Sequence, residues 1–216
     1  MTFEEIRKEI KAKKYKPIYF FCGEEPFFID RLTSLLENTV LPEDQKAFDQ
    51  MVLYGNDVNM RTVTDTARRF PMMAEKQVLI IREAQNIQDF DLLTPYIDHI
   101  QPATILVFAY KNKKPDKRKS VFQKLAHSPN CVYFESAKLY DNKVPEWIIN
   151  YCKEQKYNIS VKAAGILSES LGADLVGFSC IGESPIKDQN LNYAVTIAVK
   201  IPDAILKTIY ERPSME

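Results

Sequence analysis

Net charge is the first thing this sequence lacks. Its 29 lysines and arginines are balanced by 29 aspartates and glutamates over 216 residues, so the molecule as a whole exerts no pull on nucleic acid or an anionic membrane. Any such binding has to come from a local patch. Histidine and cysteine are scarce as well. His99 and His127 have no cysteine or second histidine at ligand spacing, and Cys22, Cys131, Cys152 and Cys180 form no CxxC pair. A structural zinc site is therefore not expected, and Cys22 and Cys131, in or beside apolar runs, read as small core residues of a reducing compartment. No apolar run approaches the roughly 20 residues of a membrane span. The opening Met1-Thr2-Phe3-Glu4-Glu5 is acidic where a signal peptide is basic and then apolar. The expectation is a cytoplasmic protein without membrane contact.

What is present is an alternation of helix and strand patterns. Thr2 and Glu5 have capping-box spacing, and Phe3, Ile6 and Ile10 give a helical stripe through Lys11. Ile18 to Cys22, between Pro17 and Gly23, reads as a strand buried on both faces. Glu24-Glu25-Pro26 then opens a helix carrying Phe27, Phe28, Leu32, Leu35 and Leu36. Further strands are expected at Phe48 to Leu53, Val78 to Arg82, Thr104 to Ala109 and Cys131 to Phe134. Helices are expected at Val58 to Arg69, at about Phe90 to Ile100 with Leu92, Leu93, Tyr96, Ile97 and Ile100 on one side, and around Val121, Phe122 and Leu125. Such alternation makes an α/β domain with a five-stranded, mostly parallel sheet covered on both faces. After Glu135 a polar stretch leads to a helix from Pro145 with Trp147, Ile148, Ile149 and Tyr151. Another follows, capped by Ser160 and stopped by Gly172. This second segment is too short to be stable alone, and Trp147 reads as a packing residue.

The strand, glycine, helix order at Cys22 to Phe27 is where a nucleotide-binding α/β protein carries its phosphate loop. That loop needs Gly-x-x-x-x-Gly-Lys-Ser/Thr, because backbone amides cradle the phosphates and the lysine reaches the terminal ones. Here Gly23 is followed by Glu24-Glu25-Pro26-Phe27-Phe28-Ile29-Asp30-Arg31, with two carboxylates, no second glycine and no Lys-Ser/Thr. ATP binding is not expected, nor is any cofactor. Glu83 falls where a nucleotide hydrolase would carry metal-coordinating acids, but Arg82 beside it has the wrong charge for that task. No nucleophile, base and orienter form a set, so catalysis has no support.

Two stretches remain. Arg68-Arg69-Phe70-Pro71-Met72-Met73-Ala74-Glu75-Lys76 puts large apolar side chains where the chain turns from a helix to a buried strand. They form either a satellite core under the loop or a contact surface. Lys111 to Lys119 is the only dense charge run. It is a solvated loop and helix start or, through Lys113, Lys114, Lys117, Arg118 and Lys119, a surface for DNA or a neighbouring subunit with salt-dependent affinity. The solvated reading is preferred.

Taken in order, Ile18 to Pro26 with its helix, Phe70-Pro71-Met72-Met73-Ala74-Glu75-Lys76-Gln77 before a strand, Asp116-Lys117-Arg118-Lys119 after a strand, Trp147-Ile148 and Ser168 to Leu175 resemble the delta subunit of the bacterial DNA polymerase III clamp loader. The resemblance implies an AAA+-like three-layer domain over 1–138 without a functional phosphate loop, then a small helical lid-like domain over 139–175. It implies a clamp-loader subunit of the replicative polymerase that binds and opens the sliding clamp without hydrolysing ATP. Phe70, Pro71, Met72 and Met73 would enter the clamp's peptide pocket, although the family often has leucine or phenylalanine where this chain has methionine. The implied partners are the beta clamp, the gamma/tau and delta prime subunits and, through the complex, primed DNA. The family counts as part of a nucleotidyltransferase, though no catalytic site is visible here. The other reading is a divergent AAA+ ATPase or switch. Past Leu175 the resemblance fails, because Val176 to Pro185 breaks helical patterning and Tyr193 to Ile209 matches no motif. Residues 176–216 are expected to be a divergent, poorly packed tail of a truncated or frame-shifted product, which leaves ring assembly open.

Overall fold

The computed structural model describes residues 1–154, 159–171 and 175. They belong to two compact units, Met1–Ala137 and the chain from Lys138 onward. In the first unit, β1 (Ile18–Gly23), β2 (Gln50–Tyr54), β3 (Gln77–Arg82), β4 (Thr104–Lys111) and β5 (Cys131–Ser136) form one sheet in the order β2-β3-β4-β1-β5. Every ladder in it is parallel. Parallel strands are joined by crossovers that cover both faces, which is why β1 and β3 read as unbroken apolar runs.

Alternate side chains feed two cores. Ile18, Phe20, Cys22, Leu79, Ile81, Leu106 and Phe108 pack with Met60 and Val63 of α4 (Met60–Ala67), Tyr96 of α5 (Thr94–Asp98) and Val121, Phe122 and Leu125 of α6 (Ser120–His127). On the opposite face, Tyr19, Phe21, Val78, Ile80, Ile105 and Val107 meet Ile6 and Ile10 of α1 (Phe3–Lys11) and Ile29, Leu32 and Leu36 of α2 (Pro26–Thr39). Phe20 lies among aromatic rings, with the centroids of Phe122 and Tyr133 at 5.6 and 5.4 Å. The capping box of α1 forms as its spacing predicts: the Glu5 amide donates to Thr2 Oγ1 and the Thr2 amide to Glu5 Oε2.

Three expectations need correction. The segment read as a strand from Phe48 is first a helix, α3 (Glu43–Asp49), and the strand begins at Gln50. Pro42 followed by Glu43 and Asp44 is a helix-start signal, and it overrides the β-like composition further on. The segment 90–100 is not one helix but a 3-10 turn over Phe90–Leu93 followed by the short α5. Pro95 has no N–H to continue the turn before it, and Leu92 points outward, 52% exposed. The helix expected over 58–69 is confined to Met60–Ala67 with Asn59 as its cap.

Two glycines stand where chain meets chain. Gly23 has φ of 134°, and a Cβ there would lie 2.0 Å from the Ser136 carbonyl oxygen. A Cβ at Gly55 would lie 2.2 Å from the Glu83 carbonyl oxygen. In the second unit, α7 (Val144–Glu154) and α8 (Val161–Leu171) pack together. Ser160 Oγ caps α8 by accepting the Ala163 amide at 3.1 Å. Gly172 and the expected tail, 176–216, lie outside the described residues. No helix among the described residues is long and apolar enough to cross a membrane.

Gly23→Ala combines a disfavoured φ with a backbone clash, and is expected to lower unfolding free energy by about 2–4 kcal/mol. Denaturant melts of the two proteins measure the difference.

Candidate functional site

The loop between α4 and β3 is tied down at both ends. At its start, Gln77 Nε2 lies 2.6 Å from the Arg69 carbonyl oxygen and 2.6 Å from Thr104 Oγ1, and the buried Thr104 hydroxyl donates to the Ala67 carbonyl at 2.7 Å. These contacts satisfy carbonyls that a helix end leaves without intrahelical partners. Further on, the Asp49 carboxylate accepts the backbone N–H groups of Met72, of Met73 at 2.8 Å and of Ala74 at 2.7 Å. Asp49 is only 5% exposed. Burial by itself would raise its pKa, but the three amides outweigh that and hold it below the ordinary 3.8.

With the backbone fixed inward, the side chains face out. Phe70, Met72 and Met73 are 76%, 78% and 62% exposed, Pro71 is half-buried, and Ala74 packs against the core. Of the two alternatives for this loop, the satellite core is not what forms.

Beyond the carboxyl ends of β1, β3 and β4, where open α/β sheets take their ligands, the chain has filled the crevice with its own groups. The Glu25 carboxylate is buried at the head of α2 and accepts the Phe27 amide at 3.0 Å, so the anion position of a helix N-terminus is occupied. The Glu24 and Glu25 amides both point at the Ser136 carbonyl oxygen, at 3.0 and 3.4 Å. Lys111 Nζ sits 3.1 Å from Asp30 and 3.0 Å from Glu83. Burial opposes the Lys111 charge, yet Glu83 and Asp30 outweigh it and raise its pKa. Burial likewise opposes the Glu83 charge, and Lys111 with Gln85 outweighs it and lowers the pKa. Glu83, at φ 53°, is thus the partner of a lysine.

The basic run is largely paired. Lys114 reaches Glu24 at 3.3 Å, Lys117 reaches Glu135 at 2.7 Å and Arg118 reaches Asp116 at 2.9 Å. Lys113 and Lys119 have no ion pair within the described residues. Sequence reasoning missed Asp49 and Lys111. The signal available for Lys111 was a lysine ending an otherwise apolar strand.

The family model for the DNA polymerase III delta subunit matches residues 19–135, just over half of the chain. The chain belongs to the DNA polymerase III delta subunit family. DNA polymerase III subunit delta of Bacillus subtilis (strain 168) is 22% identical over 174 residues, which cover 76% of this chain and 49% of that protein. The chain therefore spans about half the length of that curated relative. The solved Bacillus subtilis DNA clamp loader delta protein matches with a TM-score of 0.65 at 20% identity, over 84% of this chain and 57% of that one, a likeness of fold. The delta-family match runs from β1 to β5 and contains Asp49, the apolar loop and the crevice residues Glu24, Glu25, Asp30, Glu83 and Lys111.

Asp49→Ala leaves three loop amides without their acceptor, a loss of about 1–3 kcal/mol for each amide that water does not reach, and hydrogen exchange at Met72 to Ala74 is expected to accelerate. Because the folded pKa of Asp49 lies below its ordinary value of 3.8, the tie is fully present above that value. It is lost as pH falls from there through the lower folded value. Exchange rates in the wild type should rise in that acid window and those of Asp49→Ala should not.

Proposed function

We propose that this chain is a clamp-loader delta subunit that binds and opens the sliding clamp through Phe70, Pro71, Met72 and Met73, and that it hydrolyses no ATP itself. The observation that carries the reading is a loop whose backbone is held by Asp49 and Gln77 while three large apolar side chains stay in water. Exposed apolar side chains on a fixed backbone are already arranged for a partner's pocket, so little conformational freedom is lost on docking. Burying each contributes roughly 1.5–3 kcal/mol, enough for two or three to act as a hot spot.

The filled crevice supports the absence of hydrolysis. A nucleotide would have to displace the Glu25 carboxylate from the head of α2 and set its phosphates beside Glu24, Asp30 and Glu83. Gamma/tau and delta prime subunits, and primed DNA through the complex, are the further partners of this reading, in a cytoplasmic setting. Lys113 and Lys119 are the cations of the basic run left for a DNA or subunit contact.

Met72→Ala combined with Met73→Ala is expected to abolish binding to the cognate beta clamp in a pull-down while leaving the melting temperature within about 2 °C, since neither side chain is in the core. Retained binding by that double variant would count against the loop. Calorimetric titration with millimolar ATP and Mg²⁺ should give no heat of binding, and tight binding would favour a divergent nucleotide switch instead.

A further inference from the structure

α3 is built inside out. Its one fully buried residue is an acid, Asp49, and its one large apolar residue, Phe48, is 56% exposed. A surface helix ordinarily turns its apolar side inward and its charges outward. Asp49 is explained by the loop amides it accepts. Phe48 belongs to neither core cluster. Met51, three residues further on, is 44% exposed on β2, an edge strand of the sheet.

Phe48 is also held close to the loop. It is bonded in the chain to Asp49, one Cα step of about 3.8 Å, and the Asp49 carboxylate is hydrogen-bonded to the backbone of Met72, Met73 and Ala74. The same carboxylate that holds the loop therefore keeps the Phe48 backbone near it. Asp44, exposed in the first turn of α3 and four residues before Phe48 on the same helix face, gives the ring a polar neighbour of the kind found at the rim of a protein contact. Size points the same way. A stable interface covers about 800 Å² per partner, more than four loop residues supply, so a partner seated on the loop has to spread over its neighbours.

We propose that Phe48, with Met51 beside it, is a second anchor of the interface formed by the loop, so that the clamp is gripped by a composite face. The inference rests on the clamp-binding reading above. Its occupant is the clamp and not a second copy, because Phe48 is next in the chain to the acid that holds Met72 and Met73, and a clamp seated on the loop has to spread over the loop's neighbours.

The test is surface plasmon resonance of the full chain over immobilised cognate clamp, with Phe48→Ala, Phe48→Leu and the Met72→Ala/Met73→Ala variant alongside. Phe48→Ala is expected to weaken binding by about tenfold, chiefly through faster dissociation, with an unchanged thermal melt. Phe48→Leu, which keeps apolar area, should recover most of the loss. If the wild type binds, the loop variant fails and Phe48→Ala binds within about twofold of wild type, the second anchor is wrong and the clamp reading stands. If the wild type does not bind the clamp at all, both fall. If sedimentation shows self-association that Phe48→Ala abolishes while clamp affinity is unchanged, the face belongs to a second copy and the proposal is overturned.

Discussion

Three backbone N–H groups in the loop before β3 point at one buried carboxylate, that of Asp49, and this contact decides what the loop can do. Phe70, Met72 and Met73 would each gain roughly 1.5–3 kcal/mol by folding back onto their own domain. Hydrogen bonds to a charged acceptor contribute about 1.5–3 kcal/mol each, and there are three of them, reinforced by the Gln77 and Thr104 contacts at the end of α4. The two effects are of the same size, so the polar ties are sufficient to oppose collapse and keep the apolar side chains outside. Exposed methionines here are a consequence of satisfied backbone, not of a shortage of core.

The opposite solution appears at the carboxyl ends of the strands. There the topology creates a crevice with a helix N-terminus aimed into it, and the chain closes it with its own charges. Glu25 takes the place of an incoming anion, the Ser136 carbonyl draws in the amides that follow β1, and Lys111 bridges Asp30 and Glu83. Gly23 is the geometric condition for this closure, since any Cβ there would overlap the Ser136 carbonyl oxygen. An architecture suited to holding a nucleotide is thereby used to hold itself.

Much of this could be read from the sequence where the cause was local. The Thr2–Glu5 box, the apolar runs of β1, β3 and β4 and the defective phosphate loop each depend on neighbouring residues. The reading failed at Phe48, because composition favoured a strand while Pro42-Glu43-Asp44 had already started a helix. With α3 unseen, Asp49 had no visible role. Its contact with Met72 and Met73, more than twenty residues away in sequence, requires β2 to lie beside β3. Lys111 reaches Asp30 across 81 positions. The pairing within the basic run was hidden for the same reason, since the acids that meet Lys114 and Lys117 are Glu24 and Glu135, both remote from it in the chain.

Rigidity matters most in the proposed role, because a subunit that hydrolyses nothing can open a ring only by binding the open form more tightly than the closed one. Turning a ring that is about 99% closed into one about 99% open requires roughly 5.5 kcal/mol of such difference. Two or three apolar anchors bring that much in total, but total affinity is not the relevant quantity. A loop free to follow the clamp surface would bury the same area against either form and shift nothing. A loop whose backbone is tied to Asp49 and Gln77 offers one geometry, and a clamp surface that must deform to meet it differs in affinity between its two forms. In the proposed role, the buried carboxylate under the loop would therefore bear on clamp opening as much as on clamp binding.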